Sequence, residues 1–212
     1  GRQHLRRRRL IDQRRRRAPL MINIAIEGES DREAAKAVVI AAGRTIGRVA
    51  AAGGKTRLDP KIPKYNDAAK RANWVVFRDS DGECPVQLRT QLLSTLTSAQ
   101  SSRFSLRIAH SMTEAWLMAD PARFAEFFHV RVGKIPTSVE DLPHAKRTLL
   151  DLCVKSPRAI RDGVVTPDGK TGPEYVARIN QFASSRWDVS AAATTCPSLR
   201  RAIEEIRTLP QA

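Results

Sequence analysis

From Met21 the chain reads Met-Ile-Asn-Ile-Ala-Ile, a short and nearly continuous apolar burst of the kind found in a strand covered on both faces. The burst stops at Glu27-Gly28. Ser30 followed three residues later by Glu33 has the pattern of a capping box, which predicts a helix that begins near Asp31, runs through the apolar Ala34–Ala42 stretch and ends at Gly43. A weaker strand fits Thr45–Ala51, a Gly53-Gly54 loop follows, and a helix fits Asn66–Arg71. A strong strand pattern returns at Trp74–Phe77, and another strand fits Phe104–Ala109. Beyond about residue 130 they fade, and helices fit Ala145–Val154, Glu174–Ser184 and Ser198–Leu209, the last with Pro197 at its start. A Pro- and Gly-rich loop separates Ser156 from Gly172, and no internal repeat is visible.

Strands that alternate with helices predict an α/β fold with a mostly parallel sheet flanked by helices, whose ligands sit beyond the carboxyl ends of the strands. The chain divides into an α/β core at 21–130 and a helical extension at 131–212. A length of 212 residues suits one domain with a small appendage. The net charge of +15 is concentrated at the start, where nine Arg against one Asp in residues 1–20 leave +7 for the rest. Those twenty residues have almost nothing to bury and read as disordered in isolation, able to grip a phosphate backbone but placed before Met21 as the natural start. No apolar run of about 18 residues exists, so a membrane span is excluded from the reading. Three widely spaced cysteines, Cys84, Cys153 and Cys196, build neither a disulfide framework nor a zinc site, and with no apolar stretch after the basic segment they point to a reducing, cytoplasmic setting.

The candidate chemistry lies in acids at strand ends. Glu27 closes the first strand, and Asp79 and Asp81 follow the Trp74–Phe77 strand. Adjacent parallel strands would bring these carboxylates to one edge, where they repel unless a cation sits among them. Mg²⁺ or Mn²⁺ answers that need, because hard cations take carboxylate oxygens and supply an activated water. In extended chain, residues i and i+2 project to the same side, so Asp79 and Asp81 are expected to face one ion while Ser80 points elsewhere. Asp31 and Glu114 are further candidates, although each also fits the first turn of a helix, where the dipole favours an acid. Asp79 and Asp81 equally fit a turn before Gly82. His110 reads as structural, and Arg78 pairs with the acids or with phosphate. Gly54-Lys55-Thr56 and Gly169-Lys170-Thr171 lack the earlier glycine of a phosphate loop, since Val49 and Val164 stand there, so an intrinsic P-loop ATPase is rejected.

Glu27-Gly28-Glu29-Ser30-Asp31 after one strand and Arg78-Asp79-Ser80-Asp81 after a later one resemble the TOPRIM domain, the metal-binding fold of topoisomerases, primases and several nucleases. Residues 22–208 are similar to a bacterial TOPRIM-like family related to the overcoming-lysogenisation-defect nucleases and sometimes encoded beside ATPases in phage-defence loci. The resemblance is carried by Phe77-Arg78-Asp79-Ser80-Asp81 with Cys84-Pro85, Arg107-Ile108-Ala109, Glu114–Asp120 and Cys196-Pro197-Ser198-Leu199. It implies that Glu27 acts as acid/base or metal ligand, that Asp79 and Asp81 bind Mg²⁺, and that Asp31 helps hold a second metal. Lys146 aligns with a lysine of that family, and Lys170 is a second choice for the cation that steadies the scissile phosphate. With two tyrosines, Tyr65 and Tyr175, and no zinc-ligand cluster, strand passage and primase activity drop out.

The reading is a metal-dependent nuclease acting on DNA or RNA, with an ATPase as the expected kind of partner. In it Glu27, Lys146 and Arg78 act at the phosphate, and Glu27, Asp31, Asp79, Asp81 and Glu114 serve as ligands. Two alternatives stay open: a phosphatase of the haloacid-dehalogenase kind, where the first Asp of Asp-x-Asp attacks phosphorus, and a module that binds metal or a partner and cuts nothing. An aromatic fraction of 5% argues against single-strand stacking platforms, so the grip on substrate would be electrostatic.

Overall fold

The apolar bursts become four strands, β1 (Ile22–Ile26), β2 (Ile46–Ala51), β3 (Asn73–Asp79) and β4 (Phe104–Ala109), in a computed structural model that describes residues 21–211. The basic stretch 1–20, with its expected disorder, lies outside the described residues. All four strands run parallel in the order β2-β1-β3-β4, with Ile24 opposite Val75, Val76 opposite Leu106 and Asp79 opposite Ala109. Every link between neighbouring strands is therefore a crossover containing helix, the connection a parallel pair requires. The α/β architecture expected from the alternation is the one observed.

The two-residue period of the strands sorts side chains between two cores. Ile22, Ile24, Ile26, Val75 and Phe77 enter one, while Ala25, Val76, Leu106 and Ile108 enter the other. Helices α1 (Arg32–Ala41), α2 (Lys55–Leu58), α3 (Ile62–Ala68) and α4 (Pro85–Ser94) come from the first half of the chain. After β4 come α5 (Thr113–Met118), α6 (Pro121–Phe128), α7 (Ala145–Cys153), α8 (Arg158–Val164), α9 (Tyr175–Ser185), α10 (Val189–Thr195) and α11 (Pro197–Thr208). Leu58, Ile62, Leu88 and Leu92 from α2, α3 and α4 cover the second face. Val38, Trp116, Leu149, Phe182 and Leu199 join the first face, so the helices beyond residue 130 share a core with β1 and β3. Each such side chain contributes about 1.5–3 kcal/mol by leaving water. Among the described residues no helix is long and apolar enough to cross a membrane.

Some local expectations fail for physical reasons. The Ser30–Glu33 capping box does not form: the Glu33 N–H donates to Asn180 Oδ1 at 3.0 Å and Glu33 itself pairs with Lys36, so α1 is capped by a side chain from α9. The expected loop at 156–172 contains α8. The helix expected over Asn66–Arg71 starts earlier, with buried Ile62 and with Pro63 in its first turn.

The amino ends of the strands are closed by Arg44, which donates to the carbonyls of Ile206, Leu209 and Pro210 at 3.2, 2.7 and 2.9 Å, while Asn73 Nδ2 donates to Pro210 O at 2.8 Å. The buried guanidinium thus satisfies carbonyls that α11 leaves open at its end. Arg44→Met is expected to lower the free energy of unfolding in urea by about 2 kcal/mol, with no change at the opposite, carboxyl edge of the sheet.

Candidate functional site

Because β1 and β3 are parallel neighbours, Glu27, directly after β1, and Asp79, the last residue of β3, emerge at the same edge. Asp31 joins them through the 3-10 turn Glu29–Asp31, whose geometry is held by Gly28 N–H donating to Asp31 Oδ2 at 2.9 Å. Beyond β4 the chain turns through Ser111, at φ 64°, into α5. There Thr113 donates to Asp79 Oδ1 from its N–H at 2.9 Å and its hydroxyl at 3.0 Å. The next residue, Glu114, is 2% exposed. Its Oε1 accepts from the Tyr175 hydroxyl at 2.5 Å and lies 3.3 Å from Lys146 Nζ. The ammonium sits 5.8 Å from the centre of the Tyr175 ring, which fixes it over an aromatic face. Asp31, Asp79, Glu114 and Lys146 thus come from four separate elements into one buried group.

A second group surrounds Arg78, whose side chain is 2% exposed. Its Nε lies 3.0 Å from Asp59 Oδ1, and its Nη1 lies 3.1 Å from Asp81 Oδ2 and 3.4 Å from Glu27 Oε2. Nη1 also donates to the Asp79 carbonyl. Lys55, at the start of α2, reaches Asp81 Oδ2 at 2.8 Å. The Gly53 and Gly54 N–H groups donate to the Glu27 carbonyl at 3.0 and 2.9 Å, which brings the loop carrying Lys55 against the end of β1. Glu27 stands between the two groups.

Six carboxylates therefore share this edge with three cations, Arg78, Lys55 and Lys146. Burial, then the charges of Asp31, Glu114 and Glu27, push the Asp79 carboxyl well above the usual range, with Thr113 opposing. Burial also raises Glu27, against the pull of Arg78. Glu114 Oε2 is buried without a hydrogen-bond donor, and Glu27 Oε2, also buried, has no contact closer than its 3.4 Å ion pair with Arg78. Unbonded anionic oxygens cost free energy unless a cation meets them, and an all-oxygen donor set is the chemistry a hard divalent ion prefers. The donors fit Mg²⁺ or Mn²⁺ in kind. Among the described residues no three His, Cys, Asp or Glu side chains converge at metal-ligand spacing, so the acids form a charge cluster rather than a closed coordination shell.

The Asp31 carboxyl moves from an ordinary 3.8 up to about 6, because of burial first and Glu114 second. Between those values the folded state holds more protons than the unfolded chain. Its penalty therefore grows as pH rises through this window and is complete above it. Asp31→Asn keeps an acceptor for the Gly28 N–H and removes the charge. In EDTA the variant is expected to be more stable than wild type by about 1–3 kcal/mol at pH 8, with the gain vanishing below about pH 4 in urea titrations.

Asp79 and Asp81 were expected on one side of an extended segment, and this is corrected: Asp81 lies at φ 51°, which ends the alternation. Its carboxylate meets Lys55 and Arg78 while that of Asp79 meets Thr113. Ser80 turns inward, and its Oγ accepts from the Ser111 N–H at 2.9 Å. Of the two partners left open for Arg78, the acids are the ones it meets. Glu27, Asp31, Asp79, Glu114 and Lys146 gather at the edge, whereas Lys170 pairs with Asp168 in an exposed turn. His110 is anchored by its backbone N–H donating to Ser198 Oγ at 3.4 Å. Asp59, Lys55 and Tyr175 were not singled out by the sequence. Lys55 stood in a motif dismissed as an incomplete phosphate loop, and no local signal marks the other two.

No family model and no curated protein matches the chain. Among solved structures, the C-terminal region of the Xanthomonas campestris pv. campestris OLD protein aligns with it over 88% of this chain and 93% of that one, at 16% identity and a TM-score of 0.43.

Proposed function

We propose that the chain is a metal-dependent phosphodiester hydrolase acting on nucleic acid, with its centre at the carboxyl edge of the sheet. The observation that carries the reading is the buried Glu114 Oε2, which no donor meets, among six clustered carboxylates that only three cations offset. In this reading Asp31, Asp79 and Glu114, with Glu27 beside them, would hold Mg²⁺ or Mn²⁺, while Asp81 stays on Lys55 and Arg78. When bound, the ion supplies charge neutralisation at the phosphate and acidifies a water nucleophile.

The chain's own groups do the rest. Lys146 is held beside Glu114 and over Tyr175, half-buried, and the surrounding carboxylates outweigh burial and keep it protonated. That fixed ammonium is the group placed to steady a scissile phosphate. Glu27, raised by burial, is the carboxyl suited to exchange a proton. Arg78 fixes Glu27 and Asp81 in place and is itself too enclosed to reach substrate. The resemblance to families encoded beside ATPases extends the proposal to an ATPase partner and a role in phage defence.

The test is incubation with plasmid DNA, a long RNA and a small phosphate monoester, each with Mg²⁺, Mn²⁺ or EDTA. Cutting of polymer that requires the metal is the expected result. Release of phosphate from the monoester alone would assign a phosphatase, and inertness toward all three would leave a binding module.

A further inference from the structure

Among the described residues β4 is an edge strand, with β3 on one side and no strand on the other. Along that open edge lies a cleft of about 350 Å³ between the loop before β4, α4 and the end of α11. Two arginines line it. Arg107 projects from β4 with a side chain only 10% exposed, its Nε spent on the Leu106 carbonyl at 2.8 Å and its Nη1 no closer than 3.8 Å to Glu205 Oε2. Arg89, from α4, has a buried Nε without any acceptor and forms no ion pair among the described residues. Ser105 Oγ, also buried and lining the cleft, has no partner either.

A buried guanidinium normally meets a close carboxylate or a set of carbonyls, because a desolvated charge without them is costly. Here burial pushes Arg107 down to about 10, Glu205 opposes that shift, and the positive charges of Arg89 and Arg201 add to it. Glu205 is the acid that lines the cleft, and it offsets Arg107 only from 3.8 Å, so two guanidinium groups face one carboxylate there. Two guanidinium forks and a hydroxyl are a donor set for a tetrahedral oxyanion with several acceptor oxygens. The volume exceeds that of a lone phosphate and falls at the small end of ligand pockets, enough for a phosphate that carries a nucleoside.

We propose that this edge cleft is a second site, separate from the acid cluster, that binds a 5′-phosphomonoester through Arg89, Arg107 and Ser105. A free mononucleotide and the phosphorylated end of a nucleic-acid strand share this chemistry. The site does not depend on the nuclease reading.

The test is calorimetric titration of the full chain, in EDTA so that no metal contributes, with inorganic phosphate, adenosine 5′-monophosphate and a 5′-phosphorylated oligonucleotide at millimolar concentration. Saturable binding is expected, weakened at least about tenfold by Arg89→Gln or Arg107→Gln, in keeping with the loss of a charge-assisted pair. Tighter binding of the oligonucleotide identifies a strand end as the source, and equal or tighter binding of the mononucleotide identifies the free compound. Arg89 is half-buried on a helix surface, so its variant remains informative if Arg107→Gln does not fold. Absence of binding by all three probes, or binding unchanged in the variants that fold, would overturn the proposal.

Discussion

Asp79→Asn is expected to reduce metal-dependent cleavage by at least about a hundredfold while leaving the protein folded. Asparagine is close in shape to aspartate, and its Oδ1 can accept from both the Thr113 N–H and hydroxyl, as Asp79 Oδ1 does at 2.9 and 3.0 Å. What disappears is a negative charge in a buried site where Asp31, Glu114 and Glu27 already press against it. The metal-free variant should therefore be at least as stable as wild type in urea. Loss of cutting together with gained or unchanged stability separates a role at the reacting centre from a role in folding, and loss of both would contradict it.

Arg78→Met is expected to act in the opposite way, costing about 3–5 kcal/mol in stability. The guanidinium is almost wholly enclosed and stands within 3.4 Å of three carboxylates, Asp59, Asp81 and Glu27. Removing it leaves those acids with Lys55 alone on Asp81. The deficit is a large part of the roughly 5–15 kcal/mol that holds an ordinary domain together. Its pH dependence follows from linkage: burial raises the Glu27 carboxyl and Arg78 holds it down, so without Arg78 that carboxyl rises further, and the deficit grows as pH rises through its titration and shrinks in acid. Arg78→Lys should recover only part of the loss, because one ammonium cannot fork between Asp59 and Asp81. Urea titrations of the two variants at pH 5 and pH 8 measure both effects, and a deficit that is constant with pH would refute the electrostatic account.

The strands were legible because their signal is local. Met21–Ile26 and Trp74–Phe77 are runs that a buried parallel strand demands, and the edge where Glu27 and Asp79 meet follows once the strands are parallel neighbours. Helix boundaries set by distant residues were not legible. The cap of α1 comes from Asn180, 147 positions beyond the N–H it accepts from, so the nearby Ser30 and Glu33 misled. The site shows the same division. Acids in strand-end motifs could be named in advance, whereas Asp59 and Tyr175 acquire meaning only when Arg78 and Glu114 are seen beside them. The left-handed backbone at Asp81 was hidden as well, because an aspartate before Gly82 reads as either a metal ligand or a turn residue.

The central claim is that these carboxylates take up a divalent cation, and the most direct measurement is a Mn²⁺ titration of the full chain followed by electron paramagnetic resonance, beside the Asp79→Asn variant. The account predicts saturable loss of the free-ion signal with wild type and little loss with the variant. Equal uptake by both proteins, or uptake by neither, would contradict it.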